Sequence, residues 1–300
     1  MPADIPTTAT AIEYNANDVT PLPAPPCSIT TATTPAQPAV VVQQQSESDK
    51  ANALFEQIFM DNVRRNPVTQ TRLGIKDDYD KWQDLSDAHY QAGLELARQH
   101  LTMLQAIDVN ALDSNTRVSY LLMQRNLEQT LADAKWRLYS YPVNQMFGTH
   151  SQVPSLLINQ HSISDESDAK AYIARLNAVP TLFSQLQQQL AQRAEAGIIA
   201  PKFVFAHVIS ASENVIKGAP FDTGEPSTLL ADFTKKVNQL TLNDQAKKLL
   251  LDEANIALDS AAQQTLWQLI ADFDGQIIAA SNEAQLYASK GFALVALHAV

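Results

Sequence analysis

Glycine occurs only eight times in 300 residues, and that scarcity limits the folds open to the chain. Tight turns between strands draw heavily on glycine, the residue that accepts a positive φ without steric cost, so a barrel or sandwich with many hairpins is disfavoured. Helices need few such positions. Apolar residues make up 45% of the sequence, enough for a sizeable core. The class expected is therefore all-α, an irregular multi-helix array.

Charge and cysteine narrow the partners. Lys and Arg number 21 against 32 Asp and Glu, a net charge of −11, which argues against binding to nucleic acid or to an anionic membrane surface. Cys27 is the only thiol, so neither an intramolecular disulfide framework nor a cysteine-based zinc cage is available. No apolar run approaches the ~18 residues of a membrane-spanning helix.

Residues 1–48 differ in character from the rest of the chain. They hold 8 of the 15 prolines, one aromatic (Tyr14), and no Gly, Lys or Arg, and read as a disordered lead-in. The start Met1-Pro2-Ala3-Asp4 lacks the basic residues and continuous apolar stretch of a secretory signal. Cys27, with no hydrophobic stretch before it, reads as an exposed thiol rather than a lipid-attachment site. The compartment is left open.

From about Ser48 the apolar period is helical. Ala53, Leu54, Ile58 and Phe59 mark a first helix ending before Pro67. Ser86 caps a second, whose stripe is Tyr90, Leu94, Ala97, Leu101, Leu104 and Ile107. A third runs from Ser114 to Trp136 with Val118, Leu121, Leu122, Leu127 and Leu131 as its apolar face, and pairs with the second as a hairpin. Ser164 or Asp165 starts a helix that Pro180 kinks or restarts and Gly197 ends. Three more segments run from Phe203 to Lys217, from Ser227 to about Leu240 and from Asn243 to about Ala280.

The stretch from about 139 to 164 has no helical period and reads as one long loop rich in aromatic, amide and imidazole groups. Long polar loops inside a helical domain are often functional. Its residues Asn144, Gln145, His150, Asn159, Gln160 and His161 are the candidate substrate-facing groups, able to hydrogen-bond a peptide while Met146, Phe147 and Leu157 offer apolar contact. His150 and His161 could approach each other, but a catalytic zinc needs three protein ligands and no spacing supplies them. None of the six histidines belongs to an H-E-x-x-H pair. The acidic runs Asp77-Asp78-Tyr79-Asp80 and Asp165-Glu166-Ser167-Asp168 read as a solvated turn and a helix cap. No nucleophile elbow and no glycine-rich phosphate loop is present, so no catalytic residue and no metal ligand is assigned.

Three runs in and beside the loop carry a family resemblance: Tyr141-Pro142-Val143-Asn144-Gln145-Met146-Phe147-Gly148-Thr149-His150, Leu156-Leu157-Ile158-Asn159-Gln160-His161, and Asp168-Ala169-Lys170-Ala171-Tyr172-Ile173-Ala174-Arg175-Leu176. Together with Gly197-Ile198-Ile199-Ala200-Pro201, they resemble the N-terminal half of the bacterial domain-of-unknown-function 885 family. The resemblance implies a largely helical protein similar to zinc metallopeptidases, often exported, with zinc bound in the C-terminal half of full-length members on an H-E-x-x-x-G-H-H type segment. This sequence contains no such segment, so no cofactor is expected in it. On that reading residues 49–282 are the family's N-terminal helical portion, 283–300 are a divergent tail, and the chain is truncated and inactive by itself. A peptide is the ligand implied, and an apolar surface left uncovered predicts self-association. The alternative is a non-enzymatic helical interaction module whose loop is structural.

Overall fold

The computed structural model describes residues 46–259. The lead-in up to residue 45, the last helical segment beyond 259 and the tail lie outside the described residues. Within them the fold is all-α: nine α-helices, two short 3-10 turns, and no strand beyond isolated bridges.

Side-chain caps explain most helix starts. Helix α1 (Glu47–Arg64) opens on a capping box in which Ser46 and Asp49 satisfy each other's backbone N–H, so ordered helix begins slightly before Ser48. Helix α2 (Pro67–Arg72) has Asn66 as cap and Pro67 in its first turn, where proline's missing N–H costs nothing. Ser86 caps α3 (Asp87–Gln105) and Asp113 caps α4 (Ser114–Asp133). Hydrogen bonds from Thr116 and its neighbours hold the Asp113 carboxyl down at about 2.

Thr149–Asn159 forms helix α5 within the stretch expected to be a single loop. Two features hide it. Pro154 sits inside the helix, and Gly148 precedes it with φ 153° and no side-chain cap. Gly148 is obligatory there, since a Cβ would lie 2.9 Å from both His150 Nδ1 and the Val143 Cα.

Helix α6 (Glu166–Glu195) starts on Asp165 and runs 30 residues through Pro180. The proline removes one backbone hydrogen bond, while Leu176, Val179, Leu182 and Phe183 on either side are buried and keep the segment seated. Helices α7 (Lys202–Val215), α8 (Thr228–Asn238) and α9 (Asp244–Ala257) complete the array, the last two capped by Ser227 and Asn243.

Two apolar cores result. A smaller one joins α1, α3 and α4 through Ala51, Leu54, Ile58, Ala97, Leu104, Tyr120 and Leu127, and α3 and α4 form the expected hairpin. The larger one is built on α5 to α9 around Leu157, Tyr172, Leu176, Phe183, Leu186 and Phe233. The outer face of α4 departs from expectation. Val118, Leu121 and Leu122 are more than half exposed, while Thr116, Tyr120 and Leu127 face the core. This helix is apolar on two sides, so its period alone does not say which side is inward.

Candidate functional site

The groups singled out in the sequence do not converge. Asn144 and Gln145 lie in a tight turn closed by the Val143–Gly148 bridge and by Asn144 N–H donating to the Phe147 carbonyl at 2.9 Å. His150 comes next, in the first turn of α5, whereas Asn159, Gln160 and His161 lie at the opposite end. The nine helical steps from His150 to Asn159, at 1.5 Å each, place about 14 Å of helix between the two histidines, so the approach left open by the sequence does not occur. Gln145 and Asn159 are exposed, Asn144 and Gln160 half-buried, and the Gln160 side chain accepts from Arg72 Nε at 3.1 Å. His150 and His161 are only 4% and 0% exposed.

His161 belongs to a polar cluster centred on a residue that is not among the candidate site residues. Arg175 lies on the inner face of α6, is fully buried, and uses its guanidinium in three directions. Nε donates to the Lys81 carbonyl at 3.0 Å, Nη2 to Thr71 Oγ1 at 2.6 Å, and Nη1 bonds His161 Nδ1 at 3.0 Å. Tyr79 and Trp82 rings lie 5.3 and 5.4 Å from its guanidinium carbon. No carboxylate hydrogen-bonds it among the described residues. Burial draws Arg175 down to about 10, so it stays charged at neutral pH.

That bond fixes the imidazole. A guanidinium can only donate, so Nδ1 must carry a lone pair, and the proton resides on Nε2, which donates to the Asp168 carbonyl at 3.0 Å. Tyr79 stacks on the ring at 4.0 Å and Tyr172 meets its edge. Burial first, then the charges of Arg175 and Lys236, pull His161 down to about 4. His150 is likewise pulled to about 4, by burial alone. Its Nδ1 has no partner, and the ring lines a cavity of about 20 Å³, room for a single water, among Val153, Leu157, Phe183, Phe221 and Leu229.

The neighbouring charges are spoken for as well. Asp168, in the run expected to act as a cap, is buried and pairs with Lys76 at 2.7 Å, while Asp165 is the actual cap. The bond to Asp168 holds the Lys76 ammonium above its usual range. Lys236 of α8 donates to the carbonyls of Leu157, Ile158 and His161 and pairs with Asp232. Its cation thus sits at the negative end of α5.

These contacts fasten the connection between α2 and α3, residues 73–86, along α6. Tyr79 Oη donates to the Ser162 carbonyl, Trp82 Nε1 to the Arg175 carbonyl at 2.8 Å, and the Leu85 backbone bonds the side chains of Gln185 and Gln189. Arg193, one further buried arginine of α6, holds the Arg137 and Ser140 carbonyls in the same way. One signal for this is legible in the sequence: Asp168, Tyr172, Arg175, Leu176 and Val179 share one helical face, and a charged pair on an apolar face marks a buried network.

Zinc does not fit these residues. His161 has both nitrogens engaged and a cation bonded to the one that carries the lone pair, and His150 faces apolar side chains. No group of three His, Cys, Asp or Glu among the described residues is placed to hold a metal ion, and no described helix is long and apolar enough to cross a membrane.

The architecture is that of an all-α protein whose polar centre is packed rather than open. The family is equally definite: residues 67–294 match the family described as "Bacterial protein of unknown function (DUF885)", and the chain belongs to it. Among solved structures it is similar to the "putative lipoprotein from Colwellia psychrerythraea", with a TM-score of 0.64 at 14% identity, covering 78% of this chain and 42% of that one. That likeness is one of fold. The chain spans about two fifths of the length of that structure. No curated protein matches it in sequence.

Proposed function

We propose that residues 46–259 act as a helical scaffold and docking module within the DUF885 family, without catalysis of their own. One observation carries this reading: both imidazoles of the loop are buried, and His161 spends its two nitrogens on Arg175 and Asp168. A group so engaged holds an irregular backbone in place and has no free lone pair for a metal or a substrate proton. The docking surface is the outer side of α4, where Val118, Leu121 and Leu122 form an uncovered apolar stripe beside Arg125. The zinc-metallopeptidase character that the resemblance implies would then reside in parts of longer relatives that this chain does not match.

Incubating the purified chain with zinc and a peptide library tests the first half, with no metal-dependent cleavage expected; cleavage that persists through controls overturns it. Light scattering tests the second. The mean mass should rise with concentration for the wild type and not for the Leu121→Glu/Leu122→Glu variant, and equal monomer masses would remove α4 as the docking surface.

A second reading is favoured by the turn before α5. Gln145 is exposed there beside Met146 and Phe147, which are 78% and 57% exposed, an apolar tip with an amide that suits an extended peptide. Peptide-library binding lost in Met146→Ser/Phe147→Ser would support it.

A further inference from the structure

We propose that His161 is an acid-sensitive latch: in the neutral state it anchors Arg175 and, through it, the 73–86 strap, and protonation of Nδ1 releases the middle of that strap from α6. This goes beyond the scaffold reading and does not depend on it.

The geometry leaves protonated His161 without a place in the closed structure. Nδ1 receives a hydrogen bond from Arg175 Nη1. A proton there sets N–H against N–H between two cations in a buried site. The groups facing the ring from each packed element offer little relief. From α6, Arg175 is cationic, the Asp168 carboxylate is held by Lys76 and by the Ser164 N–H, and Tyr172 contributes a neutral ring edge. From α8, Lys236 bonds the His161 carbonyl itself and neutralises Asp232. From the strap, Lys76 and the Tyr79 ring approach, and Asp80 lies toward Arg175. On the α2 side, Arg72 holds Gln160. Among the described residues no free carboxylate accepts from the new N–H.

Arg175 determines which contacts the strap loses. The same guanidinium holds the Lys81 carbonyl of the strap and Thr71 Oγ1 of α2, and it lies against the Trp82 ring, whose Nε1 donates to the Arg175 backbone carbonyl. Once repelled from His161, it must turn, and the Tyr79 stack turns with it. The ends of the strap keep ties that do not pass through the His161 ring or the Arg175 guanidinium, Leu85 to Gln185 and Gln189, and Lys76 to Asp168. Opening is therefore local, over residues 77–83, before the helices themselves unfold.

Hydrogen exchange read by mass spectrometry on the intact chain tests this, with intrinsic rates corrected for pH. If opening returns His161 from about 4 to its ordinary 6.5, the opening constant of residues 77–83 rises roughly 30-fold between about pH 7.5 and about pH 5, while α3 and α9 change little. His161→Gln supplies an acceptor for Arg175 and a donor for the Asp168 carbonyl without titrating, and should abolish the pH step while leaving protection near neutral pH unchanged. Wild-type protection that stays constant to about pH 5, or a step of equal size in His161→Gln, overturns the latch. If His161→Gln does not fold, NMR of the wild type decides instead: the Trp82 indole signal must shift with the same midpoint as the His161 ring, and separate midpoints overturn the proposal.

Discussion

Replacing Arg175 by methionine removes the cation and keeps most of the side-chain volume, so it isolates what the guanidinium holds. Three acceptors lose their donor: the Lys81 carbonyl, His161 Nδ1 and Thr71 Oγ1. Thr71 is the least affected, because its hydroxyl still donates to the Pro67 carbonyl. His161 Nδ1 becomes buried and unsatisfied, at about 1–3 kcal/mol, and the Lys81 carbonyl, on an exposed residue, loses a hydrogen bond from a charged donor worth about 1.5–3 kcal/mol. Against this stands the relief of no longer burying a charge that has no carboxylate partner, which offsets part of the cost. The balance is a loss of about 3 kcal/mol, read as the shift in urea midpoint times the slope, monitored by circular dichroism. Arg175→Lys should also destabilise, since one ammonium cannot span three diverging acceptors. A loss below about 1 kcal/mol for Arg175→Met would refute the reasoning and mean that water or a rearranged strap satisfies those groups.

Stability should fall as pH drops from 6.5 toward 4. His161 and His150 both have folded values depressed to about 4, so each contributes fully above 6.5 and loses up to about 3 kcal/mol by pH 4. Denaturant melts across that range check it, and a flat profile would contradict the burial argument. Gly148→Ala meets His150 Nδ1 and the Val143 Cα at 2.9 Å from a φ of 153° and should cost about 2 kcal/mol in thermal or urea unfolding. Leu122→Ser, on the exposed side of α4, should change stability by no more than about 0.5 kcal/mol, whereas Leu127→Ala, on its buried side, should cost about 2–3 kcal/mol. Ser227→Ala removes the buried cap of α8 and should cost about 1 kcal/mol by the same measurement.

How far the fold is legible in the sequence depends on how local each signal is. Ser86, Asp165, Ser227 and Asn243 cap helices where short-range chemistry places them, and Gly197 closes α6 with φ 75°. Such signals need only neighbours within a turn. Helix α5 is hidden because Pro154 and the uncapped Gly148 both weaken local helical character, and its stability comes from burying Val153, Leu156 and Leu157. The orientation of α4 is obscured for a related reason: which apolar face turns inward is decided by α1 and α3. The place of Arg175 on an apolar helical face marks it as buried, but its role does not show in the sequence because its partners at Thr71 and Lys81 lie 104 and 94 positions away. The histidines stand out for their chemistry, yet burial and donors from distant elements determine what that chemistry is used for.

The strap ties residues separated by 83 to 104 positions, from Tyr79–Ser162 to Leu85–Gln189, whereas α3 and α4 meet across a short connection. Closing so long a chain segment costs entropy that must be met before its contacts can contribute. The helical hairpin should therefore assemble early and the Tyr79–Arg175 region last, with substitutions in the strap accelerating unfolding and leaving the refolding rate nearly unchanged.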